Sequence, residues 1–141
     1  MRKFLLSLLM LAFISPLALR ADEIIVGTEE SSTMVVPFRS ANNYSYTQSI
    51  YLKDEVSLNG TPMTITEIAY KRASSGYTFT GDIKIYVGVT DMTTHTGPST
   101  DWLTDLTLVF SGTNIVVGDE EWETFTFDTP YEYSATKNLV V

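Results

Sequence analysis

The feature that most constrains the fold is a stretch of regular alternation in the middle of the chain. Apolar side chains occupy every second position of residues 82–89, at Ile83, Ile85, Val87 and Val89. Side chains of a β-strand point alternately to opposite faces, so this spacing predicts a strand with one buried and one solvated face. An α-helix repeats every 3.6 residues and does not place these positions on one side.

Shorter apolar runs recur along the chain, separated by glycine, proline and asparagine. Twenty threonines and eight tyrosines accompany many Val and Ile residues, which is the composition that packs well on pleated sheets. We therefore predict an all-β fold, an antiparallel β-sandwich with at most a helical turn at 53–58. The predicted strands cover residues 23–27, 33–38, 44–52, 63–71, 82–89, 106–110, 115–117, 122–127 and 138–141.

In two of the predicted strands, the pattern of alternation also assigns side chains to faces of the strand. In 63–71 the apolar positions change face between Ile65 and Ile68, which predicts a β-bulge near Thr66 or Glu67. In 44–52 the alternation assigns one face to Tyr44, Tyr46, Gln48 and Ile50.

The core prediction follows from the same alternation. Ile83, Ile85 and Val87 are expected on the inner face of one sheet, and Phe125 and Phe127 on the inner face of the other. Leu106, Leu108 and Phe110 are expected to share a face. Turns are predicted at Asn59-Gly60, Gly112, 118–120 and Thr129-Pro130, and a long surface loop over 91–102.

The last predicted strand has an apolar sequence, Leu139-Val140-Val141. A strand of this composition normally lies inside a sheet and is followed by a turn and a partner strand. We therefore expect a chain that is truncated at its C-terminus; the alternative is that this strand forms a true sheet edge.

The N-terminal segment predicts export. Arg2 and Lys3 precede an apolar run over 4–14 that is interrupted only by Ser7, and Pro16 follows. This run is too short to span a bilayer, which needs about 20 residues, so we predict a cleaved signal peptide over 1–21 and a single domain over 22–141. The chain has no cysteine, so neither disulfides nor a lipoprotein anchor are available.

The charge balance excludes one class of partner. All seventeen Asp and Glu lie after residue 21, and three of the nine Lys and Arg lie before it, so the exported chain has a net charge near −11. Phosphate backbones bind through clustered Lys and Arg, so we expect no nucleic-acid partner. The simplest role of the acidity is solubility, and it is also compatible with divalent cations.

A family resemblance supports the fold prediction. The segments that carry it are Tyr44-Ser-Tyr-Thr-Gln-Ser-Ile-Tyr51, Ile65-Thr-Glu-Ile-Ala69, Ile83-Lys-Ile-Tyr-Val-Gly88, Val109-Phe-Ser-Gly112, Trp122 with Phe125 and Phe127, Pro130-Tyr-Glu-Tyr133 and Asn138-Leu139. In this order they resemble the β-sandwich modules of large secreted and cell-surface proteins of Bacteroidota, the adhesin regions of the gingipain type among them. The resemblance implies a jelly-roll-like sandwich and a role in adhesion. It also implies further modules and a type IX sorting domain in such proteins.

The search for catalytic residues gives a negative prediction. His95 is the only histidine and there is no cysteine, so a zinc site has no ligand set. No Gly-x-Ser-x-Gly elbow and no phosphate-binding glycine motif occurs. We predict that the protein is not an enzyme and that His95 is a solvated loop residue.

Acidic residues near predicted strand ends offer one cofactor hypothesis. Loop carboxylates with backbone carbonyls suit calcium, although no EF-hand spacing is present. The candidate calcium ligands are Asp101, Asp105, Asp119, Glu120 and Glu121.

Aromatic residues in loops are the other candidate binding groups. Trp102 and Tyr77 are predicted in loops, where their rings can contact a sugar or a protein, whereas Trp122 is expected to be packed. The sequence thus predicts a non-enzymatic secreted or cell-surface module that recognises a glycan or a host or surface protein. The alternatives are a structural spacer and an accessory domain of a larger secreted hydrolase.

Overall fold

The structure is a computed structural model that describes residues 22–27, 37–38, 44–71, 78–97, 102–118 and 121–141. The fold is all-β, as predicted, with antiparallel sheets in a sandwich-like arrangement. The elements are β1 (Ile50–Tyr51), α1 (Lys53–Val56), a 3₁₀ turn (Leu58–Gly60), β2 (Met63–Lys71), β3 (Phe79–Thr90), β4 (Thr107–Val117), β5 (Trp122–Tyr133) and β6 (Asn138–Val140). The predicted signal peptide over 1–21 lies outside the described residues.

The strands form a four-stranded sheet and a two-stranded sheet. The order in the first is β1-β6-β3-β4, and β2 pairs with β5 in the second. β6 lies between β1 and β3, with Leu139 paired to Tyr51 on one side and to Val89 on the other. The prediction that the last strand lies inside a sheet is therefore confirmed, while the predicted truncation stays a prediction.

The core lies between the two sheets and contains the residues that alternation predicts. Ile83, Ile85, Val87, Phe125 and Phe127 are all buried. Each such side chain contributes on the order of 2 kcal/mol when it leaves water. Across the interface, the ring of Phe110 meets Phe125 edge to face at a centroid distance of 5.4 Å, and Phe38 stacks on Phe79 at 6.3 Å.

The predicted bulge in β2 is confirmed, and its partner strand carries the extra residues. Ile65 pairs with Tyr131 and Glu67 with Thr126, so Thr66 faces the unpaired segment 127–130 of β5. Pro130 lies in that segment. Since an unpaired position needs no backbone N–H, proline is tolerated there and the strand continues to Tyr133. The prediction that Thr129-Pro130 ends the strand is wrong for this reason.

Bulges also explain errors in β4. Ile85 pairs with Phe110 and Tyr86 with Leu108, which leaves Val109 as an extra residue. This insertion turns Val109 into the core and Leu108 into solvent, so the prediction that Leu106, Leu108 and Phe110 share a face is wrong.

A second irregularity in β4 replaces the turn predicted at Gly112. β4 runs without a break from Thr107 to Val117, and the ladder shifts between Gly112 and Ile115. Asn114 adopts a positive φ of 54° there, and its N–H donates to Asp82 Oδ1 at 3.1 Å. Asparagine tolerates this conformation better than most residues, so the chain bulges instead of turning.

The N-terminal strand predictions are only partly confirmed. The strand predicted over 44–52 is reduced to β1, although Ser49 adds a reciprocal pair of backbone bonds with Val141 at 2.9 and 3.0 Å. Residues 23–27 form no assigned strand, yet Val26 packs against the core. Of the strand predicted over 33–38, only 37–38 are described. None of the helical segments among the described residues is long or apolar enough to traverse a bilayer.

Candidate functional site

The outer face of the four-stranded sheet carries a second packed layer. Ile50, Val140 and Gly88 lie opposite one another in neighbouring strands, so they share the face that points away from Leu139 and the core. Val140 is nonetheless fully buried, with 0% exposure. Leu106 covers this place, because a Cβ on Gly88 would lie 2.5 Å from its Cδ2 atom. The connection from β3 to β4 therefore returns across the outer face.

Polar contacts fix this connection to the strands beneath it. The amide of Gln48 donates from Nε2 to the carbonyl of Leu103 at 3.0 Å and accepts the Leu103 N–H on Oε1, also at 3.0 Å. A side-chain amide here reproduces the paired bonds of a β-ladder. Two bonds hold one backbone position and leave Gln48 little freedom.

The start of the connection is held by Asn138. Its Nδ2 donates to the carbonyl of Met92 at 2.8 Å, and its Oδ1 accepts the N–H of Lys53 at 2.9 Å. Asn138 is buried, so both bonds satisfy groups that water reaches poorly. Lys137 adds an exposed ion pair with Asp91 at 2.7 Å.

These contacts place three aromatic rings together at the surface. The ring centroids of Tyr46 and Trp102 lie 4.7 Å apart with the planes tilted by 60°, and the centroid of His95 lies 6.2 Å from that of Trp102. Trp102 is 41% exposed, Tyr46 57% and Tyr44 88%. We call Tyr46, His95 and Trp102 the Trp102 cluster. It presents apolar rings to solvent on a backbone that is held by hydrogen bonds.

His95 differs from its prediction as a solvated residue. It is half-buried, and its Nε2 atom is enclosed without a hydrogen-bond partner among the described residues. Packing beside Trp102 explains the burial. A general base must lie within hydrogen-bond reach of the proton that it removes, and no described hydroxyl or carboxylate is bonded to this nitrogen.

The predicted calcium ligands are only partly described. Asp105 and Glu121 are exposed, and Glu121 Oε1 lies 3.8 Å from Lys71 Nζ. Asp101, Asp119 and Glu120 lie outside the described residues, as does the predicted contact residue Tyr77. Within the described ranges no group of three or more His, Cys, Asp or Glu side chains is placed to hold a metal ion.

Trp122 is exposed, contrary to its prediction as a packed residue. It lies on the face of β5 opposite Phe125, as the alternation requires, and is 38% exposed. Lys71 covers part of the ring, with Nζ 5.8 Å from its centroid. The two-stranded sheet has no further layer over this position among the described residues, which explains the exposure.

Sequence reasoning found Trp102 but missed the residues that position it. The prediction grouped Tyr46 and Gln48 on one strand face with Ile50, but only Ile50 lies in a strand, and nothing local indicates that Leu103 and Trp102 lie beside Gln48 and Tyr46. The available signal is a glutamine and a tyrosine two residues apart in a segment without charged residues, 44–52.

Raised tyrosine pKa values mark the core. Burial raises the pKa of four tyrosines, and for Tyr70 the neighbouring Tyr51 adds to the effect. All four lie in the core or pack against it: Tyr51, Tyr70, Tyr131 and Tyr133. The shifts follow from desolvation, so they do not point to a reactive phenol.

Comparison with protein-family models, curated proteins and solved structures finds no match to this chain. The resemblance to adhesin-type modules of Bacteroidota stays a prediction. The function is therefore argued from the residues of this chain.

Proposed function

We propose that this chain is an exported, non-enzymatic recognition module that binds a glycan or a host or surface protein through the Trp102 cluster. One observation carries the proposal: Trp102 and Tyr46 remain exposed although their backbone is fixed by the Gln48 and Leu103 bonds. Large exposed apolar side chains on a held backbone are more typical of contact residues than of a solvated loop.

A backbone that is held before binding lowers the entropy cost of binding a ligand. A flexible loop loses conformational entropy when it orders on a ligand, which reduces affinity. Here Gln48 and Asn138 already hold the described parts of the connection, at Leu103 and Met92, in the free protein. Tyr and Trp add large contact areas with few rotatable bonds, so little further entropy is lost when a ligand covers them.

The position of the cluster also suits recognition. It lies on the outer face of the four-stranded sheet, away from the core between the sheets, so a ligand can cover it without disturbing Phe125 or Val87. Trp122 provides the natural control. It has almost the same exposure on the other sheet, but its neighbour is a lysine and not an aromatic pair.

A binding screen with matched variants tests this proposal. The full chain, Trp102→Ala and Trp122→Ala are applied to a glycan array and to a panel of cell-surface proteins, with and without a calcium chelator. We expect at least one ligand that Trp102→Ala loses and Trp122→Ala keeps. A ligand that is lost on chelation would assign calcium to the site.

Other outcomes would contradict the proposal. The absence of any ligand in both conditions favours a spacer between functional modules. Turnover of a bound ligand that His95→Ala abolishes would identify an enzyme or its accessory domain.

A further inference from the structure

We infer that the ligand of the Trp102 cluster is an uncharged oligosaccharide that lies along Tyr44, Tyr46 and Trp102. This inference rests on the proposed function of the cluster as a recognition site. It names the chemical class of the ligand and the direction in which the ligand extends.

The first argument is the absence of charge around the rings. The cluster is built from segments 44–49, 92–97 and 102–104, which contain no Lys, Arg, Asp or Glu, although such residues make up 18% of the chain. The same segments are rich in hydroxyl-bearing residues: Tyr44, Ser45, Tyr46, Thr47, Ser49, Thr93, Thr94, Thr96 and Thr104.

The neighbouring charges do not change this chemistry. Asp91 is paired with Lys137, and Asp105 follows the last segment. Asp101 precedes Trp102 in the sequence and lies outside the described residues. These segments offer a phosphate, sulfate or carboxylate ligand no Lys or Arg partner, and the net charge of the exported chain, near −11, repels such a ligand.

A neutral sugar matches the groups that are present. The C–H face of a sugar ring is apolar and packs against an aromatic ring, while its hydroxyls exchange hydrogen bonds with Ser, Thr and Tyr hydroxyls. A protein partner normally needs a larger contact, about 800 Å² on each side, with an apolar centre and arginine among its anchors. The described cluster presents two principal rings, in segments whose other residues are rich in hydroxyls.

Ring geometry indicates a single chain and not a flat crystalline surface. The 60° tilt between Tyr46 and Trp102 rules out a coplanar platform of these two rings. Tyr44 is 88% exposed and lies two residues before Tyr46, which is at most roughly 7 Å along the chain. An oligomer that contacts the Tyr46 and Trp102 rings can extend along the chain to Tyr44.

A length and salt series tests the inference. Trp122→Phe is made in the full chain so that Trp102 is the only tryptophan, and its fluorescence is titrated with neutral glucose, xylose, mannose and N-acetylglucosamine oligomers of increasing length. The matched anionic ligand is an oligogalacturonate. The same protein is tested against the surface-protein panel.

We expect one neutral series to bind more tightly as its length increases. Its affinity should change by less than about twofold between low and high salt, because no ion pair is screened. The Trp102 variants carry no tryptophan in the Trp122→Phe background, so isothermal titration calorimetry measures their affinity, and Trp102→Ala should weaken it by roughly tenfold or more. Tyr44→Ala should weaken the longer oligomers several-fold while it leaves the monosaccharide unchanged. Trp102→Phe, which keeps a ring, should recover part of the affinity if the alanine variant folds poorly.

The outcomes separate this inference from the proposed function. Salt-sensitive binding of the anionic oligomer, or binding to a protein alone, would overturn the neutral-glycan assignment and leave a recognition module. Failure to bind any of the sugars or proteins would overturn both this inference and the proposed function. If Trp102→Ala and Tyr44→Ala both bind the neutral oligosaccharide as tightly as the parent protein, the binding site does not lie on this face.

Discussion

The two faces of the four-stranded sheet are both covered, but by different means. Toward the two-stranded sheet, Ile83, Ile85 and Val87 pack against strands that bring their own apolar faces. On the outer face, the layer over Val140 is irregular chain, held by Leu106 and by side-chain amides. The inner layer is thus stabilised by buried apolar surface area. In the outer layer a few contacts position rings that stay exposed.

The two tryptophans sharpen this difference. Trp102 is 41% exposed and Trp122 38%, so exposure alone does not distinguish them. Trp102 belongs to a layer with aromatic neighbours, while Trp122 lies beside Lys71 on a sheet face that no other described segment covers. The surroundings, and not the exposed fraction, single out one ring as a candidate contact.

The largest effect is expected in the inner layer. Phe125→Ala removes a ring that packs against Phe38, Tyr70 and Phe110, so the free energy of unfolding should fall by about 3 to 5 kcal/mol. Denaturant unfolding measures this loss. Thr124→Ala on the exposed side of the same strand should change it by under about 0.5 kcal/mol. A loss below about 1 kcal/mol for Phe125→Ala would mean that the ring is not part of the core.

The residues of the inner layer could be predicted from the sequence, whereas features that depend on strand pairing could not. Alternation in 82–89 and 122–127 identified Phe125, Phe127 and the isoleucines, because the two-residue repeat is a local property of a strand. The change of phase near Thr66 was visible for the same reason. The exposure of Leu108 was not, because the bulge at Val109 depends on the register with β3.

The candidate site depends even more on distant contacts. Gln48 and Leu103 are 55 residues apart, and Asn138 and Met92 are 46 apart. Propensity and periodicity contain no information about such pairs. Trp102 was identified only because a tryptophan in a polar loop is uncommon enough to be noticed.

The second effect is expected where the outer layer begins. Asn138→Ala leaves the Lys53 N–H and the Met92 carbonyl without their partner, and buried groups of this kind cost about 1 to 3 kcal/mol. Thermal and denaturant unfolding should register this loss. Lys137→Ala removes a tether of the same connection, but the pair is exposed and should contribute at most about 1 kcal/mol. Equal losses in the two variants would contradict the role given to the buried amide.

A smaller effect tests whether Leu106 seals the outer face. Gly88→Ala forces Leu106 to move, because the new Cβ would lie 2.5 Å from Cδ2, so a loss of about 1 to 2 kcal/mol is expected. In a Leu106→Ala background the same substitution should cost almost nothing, since the obstructing atom is gone. A double-mutant cycle measures this coupling. Additive effects would show that Leu106 and Gly88 do not pack together in solution.

Gln48→Glu should change the stability least, but it should specifically loosen Trp102. Gln48→Glu keeps an acceptor for the Leu103 N–H but replaces the donor with a carboxylate oxygen that faces the Leu103 carbonyl. Because Gln48 is only half-buried and the core is untouched, the free energy of unfolding should fall by less than about 1 kcal/mol. Trp102 should nevertheless gain rotational freedom, which its fluorescence anisotropy reports in the Trp122→Phe background, and the Leu103 amide should exchange faster.

Thr47→Glu adds the same charge at an exposed neighbouring position and should leave both signals unchanged. If Gln48→Glu does not loosen Trp102, the backbone at Leu103 is held by other contacts, and the preorganisation on which the proposed site depends has a different source.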